Sequence, residues 1–125
     1  MINLLHTDKA PAAVGPYSQA IEVNGLIFTS GQIPLVPETG ELVTESIEKA
    51  TERSLENVKA ILENAGSSLE KAVKVNIFLA DINDFGKVNE IYGKYFSDHK
   101  PARSCVEVAN LPKGALIEIE AIAEK

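Results

Sequence analysis

With 125 residues, 45% of them hydrophobic, and a formal charge of −6, the chain has the length of one ordinary domain and enough apolar content for a core. Its sign of charge is wrong for non-specific binding to nucleic acid, and no basic cluster offsets it, since even Lys71 to Lys74 is interrupted. One cysteine, Cys105, excludes an internal disulfide and a cysteine-built metal cage, and no apolar run reaches membrane-spanning length.

Met1 to Lys9 lacks the basic and apolar regions of a secretory signal, so a cytoplasmic protein with one domain over residues 1–125 is expected. The first strong element is a hairpin. Tyr17–Val23 and Leu26–Gln32 flank Asn24-Gly25, the residues a type I′ turn requires. A two-residue loop sets Val23 opposite Leu26, Gln19 opposite Ser30 and Tyr17 opposite Gln32, giving one face that is apolar near the turn and polar at the far end.

Pro34, Pro37 and Thr39-Gly40 read as loop. An amphipathic helix then runs from about Thr44 to Ala65, with Ile47, Ala50, Val58, Ile61, Leu62 and Ala65 on one side. Thr44 is the expected N-cap and Gly66 the expected stop, while Glu48, Glu52, Arg53, Glu56, Lys59 and Glu63 form a solvated face.

Val73, Val75, Ile77 and Leu79 make one apolar face of a strand. A second helix over about Asp84 to Phe96 turns Phe85, Val88, Tyr92, Tyr95 and Phe96 inward. Two last strands, Arg103–Ala109 and Leu116–Ala123, are joined through Leu111-Pro112-Lys113-Gly114. The order strand, strand, helix, strand, helix, strand, strand is that of an α+β layer, a mixed sheet with both helices on one face. No element remains for the other face, so a homo-oligomer is expected to cover it.

Familiar catalytic patterns are absent. Cys105 has no histidine in catalytic spacing and reads as a small buried hydrophobe. Ser30 in Thr29-Ser30-Gly31-Gln32 is not a nucleophile elbow, His6 and His99 do not form a metal-ligand pattern, and no glycine loop is built to cradle phosphate. What remains is Arg103 at the start of one strand and Glu118 within the apolar strand that follows. Paired as a hairpin with residue 105 opposite 118, the two strands would bring Arg103, Cys105, Glu118 and Glu120 to one face. Such a pair is either a screened ion pair that contributes little or a working site. In the second case Arg103 offers a planar fork to a substrate carboxylate, and a nearby glutamate, partly desolvated, steers a water as general base.

Four separated segments carry a resemblance: Ala10-Pro11-Ala12-Ala13-Val14-Gly15-Pro16-Tyr17-Ser18-Gln19-Ala20, Phe28-Thr29-Ser30-Gly31-Gln32-Ile33-Pro34, Pro101-Ala102-Arg103-Ser104-Cys105-Val106-Glu107-Val108, and Leu111-Pro112-Lys113-Gly114-Ala115 with Ile117-Glu118-Ile119-Glu120-Ala121. Together they closely resemble the RidA branch of the Rid/YjgF family along essentially the whole chain. The resemblance implies a chorismate-mutase-like α+β fold assembled as a homotrimer with ligand clefts between subunits. It also implies hydrolysis of 2-iminobutanoate and 2-iminopropanoate, released by pyridoxal-phosphate dehydratases, to 2-keto acids and ammonia, with no metal or organic cofactor. Carried over by motif, Arg103 binds the substrate carboxylate and Glu118 positions the attacking water. Tyr17, Ser30, Gly31 and Asn89 contact the ligand, and Cys105 contributes position and backbone without a covalent intermediate. The family is also linked to chaperone-like, ribonuclease and translation-inhibitor roles. A non-catalytic protein that binds small carboxylates is the alternative, and the acidic balance with no paired histidines argues against ribonuclease.

Overall fold

In the computed structural model, which describes residues 1–125, six strands form one mixed sheet in the order β1-β2-β3-β6-β4-β5. The strands are β1 (Asn3–Leu5), β2 (Ala20–Val23), β3 (Leu26–Thr29), β4 (Ala72–Leu79), β5 (Ala102–Glu107) and β6 (Ile117–Glu124). Two helices, α1 (Ile47–Asn64) and α2 (Phe85–Tyr95), follow β3 and β4.

The hairpin register follows from its turn. Asn24 and Gly25 both have positive φ, 51° and 77°, as a type I′ turn requires, and Val23 pairs with Leu26. The regular pairing is shorter than expected, ending at Ala20 and Thr29, although the Ser30 amide still donates to Gln19 O at 2.8 Å. Tyr17 lies in a turn, its amide bonded to Gly15 O, and Gln32 pairs with Ile119 of β6 in both directions. Pro16 has no amide hydrogen to extend the β2 ladder. The short edge strand β1 adds to β2 and has no counterpart in the sequence reading.

Alternation divides the sheet cleanly. Ala20, Ile27, Val75, Ile77, Leu79, Ile117, Ile119, Ala121 and Ala123 are buried against the helices. Ile77 and Ile119 stand directly opposite one another, 1% and 0% exposed, each burial contributing about 1.5–3 kcal/mol. On α1 the Ser46 hydroxyl accepts from Lys49 N, so Ser46 and not Thr44 is the N-cap, being the residue whose oxygen reaches the N3 amide. Gly66, with φ 85°, stops the helix as expected. Within α2, Val88, Ile91 and Tyr92 are buried, followed by Phe96, whereas Phe85 is 37% exposed. Val73 is also displaced outward, because a bulge between Ala72 and Lys74 shifts the alternation of β4.

The pairing of the last two strands differs from expectation. They do not form a hairpin: β4 lies between them, parallel to β5 and antiparallel to β6. Paired along both edges, β4 is an interior strand, and β5 forms the sheet edge. The opposite sheet face is covered by no element of the chain. There Ile21, Val23, Leu26, Phe28, Phe78 and Ile122 are only half-buried.

Candidate functional site

Because residues directly opposite in a sheet share a face, the pairings determine where the candidate residues point. Glu118 stands opposite Phe78, and Glu120 opposite Asn76, on the uncovered face. Arg103 and Cys105 stand opposite Val75 and Ile77, on the helix face. Arg103 and Glu118 are therefore on opposite sides of the sheet, two strands apart, and the expected convergence on one face does not occur within one chain. Sequence parity placed Arg103 with Cys105 and Glu118 with Glu120, but the strand between them reverses the relation across the pairs.

Glu118 opens onto a cleft of about 460 Å³ whose lining includes Tyr17, Ser30, Gly31, Ile33, Pro112 and Lys113. Burial raises the Glu118 carboxyl above the ordinary carboxylate range, and the neighbouring Glu120 raises it further. None of the chain's ion pairs includes it. Glu120 instead accepts from Asn76 Nδ2 at 3.0 Å.

The cleft's far wall is tied down by one buried amide. Gln19 is 2% exposed; its Oε1 accepts from Thr7 N, and its Nε2 donates to the carbonyls of Thr7, Ala10 and Pro11. That fixes the loop leading to Tyr17, whose ring stays 52% exposed at the mouth. The Ser30 hydroxyl donates to Ser18 O at 2.6 Å, linking the same loop to β3. Asn57, fully buried on α1, donates to Leu35 O at 2.9 Å and so holds the segment after Gly31 against the helix.

Arg103 occupies a second, separate setting. Its Nη1 donates to Asn89 Oδ1 at 2.7 Å, and its guanidinium carbon lies 4.7 Å from the Tyr92 ring centre and 5.4 Å from that of Phe85. Residues 85, 89 and 92 recur at helical spacing, so α2 presents one stripe to the arginine. Asn89 thus meets Arg103 rather than the Glu118 cleft, and its Nδ2 remains available. Burial pushes the Cys105 thiol up, with Arg103 acting to lower it, so the thiol stays protonated at neutral pH.

The structure brings Tyr17, Ser30, Gly31 and Glu118 together on one side, and Asn89, Arg103 and Cys105 on the other. The roles of Gln19, Phe85, Tyr92 and Asn57 were missed in the sequence. Only the spacing of 85, 89 and 92 offered a signal, and its meaning depended on knowing where β5 lies. No group of three or more His, Cys, Asp or Glu side chains is arranged to hold a metal ion. His6 bonds Asp8 at the exposed surface and His99 bonds Ala72 O, both outside the cleft lining. A larger depression of about 580 Å³ on the outer side of α1 is lined mainly by charged residues, including Glu52, Glu56 and Lys59, and there the Tyr95 hydroxyl donates to Glu56.

Residues 7–125 match the family model described as endoribonuclease L-PSP. Among curated relatives, a RutC family protein of Pyrococcus abyssi is 57% identical, covering 98% of this chain and 96% of its own. Reactive Intermediate Deaminase A, chloroplastic, of Arabidopsis thaliana is 54% identical over 96% of this chain and 64% of its own. Among solved structures, a Rid family protein of unknown function from Yersinia pestis superposes with a TM-score of 0.98 at 51% identity, covering both chains fully. Escherichia coli TdcF with bound serine superposes with a TM-score of 0.94 at 45% identity over 98% of each chain.

Proposed function

The chain belongs to the Rid/YjgF family, the endoribonuclease L-PSP family of its matching model, and on that premise we propose that it is a hydrolytic deaminase of reactive 2-imino and enamino acids. The substrates are 2-iminobutanoate and 2-iminopropanoate, and clearing them protects pyridoxal-phosphate enzymes from damage. The observation that carries the reading is the coexistence of a guanidinium held rigid by Asn89 and two aromatic rings with a desolvated carboxylate that has no cationic partner. The first suits a planar carboxylate, and the second suits a water that must lose a proton. Serine bound to TdcF is a small α-amino acid with the same carboxylate and neighbouring nitrogen as such an imine.

In this mechanism Arg103 binds the substrate carboxylate and Asn89, Tyr17, Ser30 and Gly31 contact the ligand. Cys105 contributes position and backbone only. Glu118 takes a proton from water as its oxygen adds to C2, and the C=N π pair becomes a lone pair on nitrogen, which receives that proton back from Glu118. The carbinolamine then collapses: the hydroxyl proton passes to nitrogen, C2–N breaks as the C2=O bond forms, and ammonia departs from the 2-keto acid. Water and imine supply every atom, so no metal or organic cofactor is required. Positioned acid–base assistance is worth about a hundred- to ten-thousand-fold, enough for a reaction that already proceeds in water.

Since one chain holds Arg103 and Glu118 on opposite faces, a complete site needs the Arg103 edge of one copy against the uncovered face of another. A closed ring of three copies gives three such sites and covers the half-buried Phe28 and Ile122. No helix is long and apolar enough to cross a membrane, and we place the protein in the cytoplasm on the sequence reading above.

The family model's description raises ribonuclease activity as a rival. A net charge of −6 and two histidines outside the cleft disfavour it. A non-catalytic carboxylate-binding or chaperone-like regulator is the stronger rival, favoured by the serine bound to TdcF. Coupled turnover decides among them: 2-iminobutanoate is generated from threonine by a dehydratase, and residual imine is trapped with semicarbazide. The wild-type protein shortens the imine's lifetime and Arg103→Ala does not; no effect from either protein would overturn the enzyme reading.

A further inference from the structure

Gly31 is a glycine for lack of space rather than for its backbone angle. Its φ lies outside the left-handed region, unlike that of five other glycines of the chain. A Cβ built on it would meet the Glu118 side chain, with Oε2 at 2.0 Å, Cδ at 2.7 Å and Cγ at 3.0 Å. Non-bonded heavy atoms prefer about 3.5–4.0 Å, so the whole distal half of Glu118 packs on bare Gly31 backbone. That backbone cannot retreat. On one side Ser30 is tied to Gln19 O through its amide and to Ser18 O through its hydroxyl. On the other, Gln32 and Ile119 exchange hydrogen bonds of 2.7 Å and 3.1 Å, and Ile119 is the residue next to Glu118 itself.

We propose that Gly31 is a positioning residue for this site: the absence of its side chain determines where the Glu118 carboxylate sits and how far it is withdrawn from water. This rests on the proposed function for its catalytic consequence, though not for the contact. In Gly31→Ala the carboxylate swings outward, because a flexible side chain yields more readily than a backbone bonded on both sides. The carboxylate then gains water and leaves the place where it meets the substrate's C2, while the Arg103 clamp is untouched.

A double-mutant cycle reads this directly. Gly31→Ala lowers kcat about tenfold or more, a larger factor than any change in KM from its own contact with the ligand, and moves the acid limb of the pH profile toward the ordinary carboxylate range. In the Glu118→Gln background the same substitution costs at least about threefold less, because the part of its effect that acts through the carboxylate is already gone and only Gly31's own contact with the ligand is left. An equal loss in both backgrounds, or no loss in either, overturns the proposal. If Gly31→Ala does not fold, folding of Gly31→Ala/Glu118→Ala supports the contact, and failure of both overturns it. Full turnover by Glu118→Gln instead removes the base from the proposed function. The contact is then judged by 13C titration of the Glu118 carboxyl, which falls in Gly31→Ala if Gly31 sets its position and is unchanged if it does not.

Discussion

Arg103 and Glu118 lie on opposite faces of the sheet, on β5 and β6, with β4 between them. At a strand spacing of about 4.8 Å this separates the strands by about 10 Å before the thickness of the sheet is counted. A reaction that uses both residues at one substrate must draw them from two copies. Subunit exchange between Arg103→Ala and Glu118→Gln, each inactive alone, is expected to restore about a quarter of wild-type activity, the fraction of interfaces that receive both intact partners in random assembly. Activity that stays at background after verified exchange would sink the shared site.

The stripe on α2 makes the arginine irreplaceable by lysine. A lysine lacks the planar fork and the stacking that Tyr92 and Phe85 provide. Arg103→Lys is expected to raise KM about ten- to a hundredfold, the loss of roughly one charge-assisted hydrogen bond, with kcat changed far less. Steady-state kinetics on the trapped imine measure this, and a KM within twofold of wild type would contradict the clamp.

Burial first and Glu120 second hold the Glu118 carboxyl high. As a base it acts only when ionised, so kcat/KM should rise with pH through a limb above the ordinary carboxylate range. Glu120→Gln removes the like charge and should move that limb to lower pH. A limb that stays put would assign the shift to burial alone.

The same shift has a consequence for stability with the opposite direction in pH. The folded state holds the Glu118 proton more tightly than the unfolded chain, so its stabilising contribution is present at low pH and lost as pH rises through the raised folded value. Glu118→Gln should therefore gain Tm relative to wild type at pH 8 compared with pH 4. Parallel curves would show that the raised value is not set by folding.

Gln19 holds the wall that carries Tyr17 through four hydrogen bonds from a side chain 2% exposed. Gln19→Leu leaves the Thr7 amide and three carbonyls without that partner and should cost about 2–4 kcal/mol, with faster proteolysis in residues 7–18. Denaturant titration and limited digestion measure both, and an unchanged midpoint would show that the loop is held by other contacts.

Much of this is legible in the sequence. Alternation in Val75, Ile77 and Leu79, the Asn24-Gly25 turn and the helical spacing of Ile47, Ala50, Val58, Ile61 and Leu62 are local patterns, each specified by the physics of a few neighbouring residues. The order of those elements likewise supplied the α+β class and the uncovered sheet face, and four motifs supplied the family. Strand neighbours were not legible. Parity along a strand is an intrachain property, but which strand lies next to which depends on how all the apolar faces are satisfied together. Inserting β4 between β5 and β6 moved Glu118 away from Arg103 without altering a single local pattern. The contact between Gly31 and Glu118, 87 positions apart by residue number, arises in the same way, where a bare backbone and a carboxylate meet only because Gln32 pairs with Ile119. Sequence determined the parts and their chemistry, and tertiary pairing decided which parts share a site.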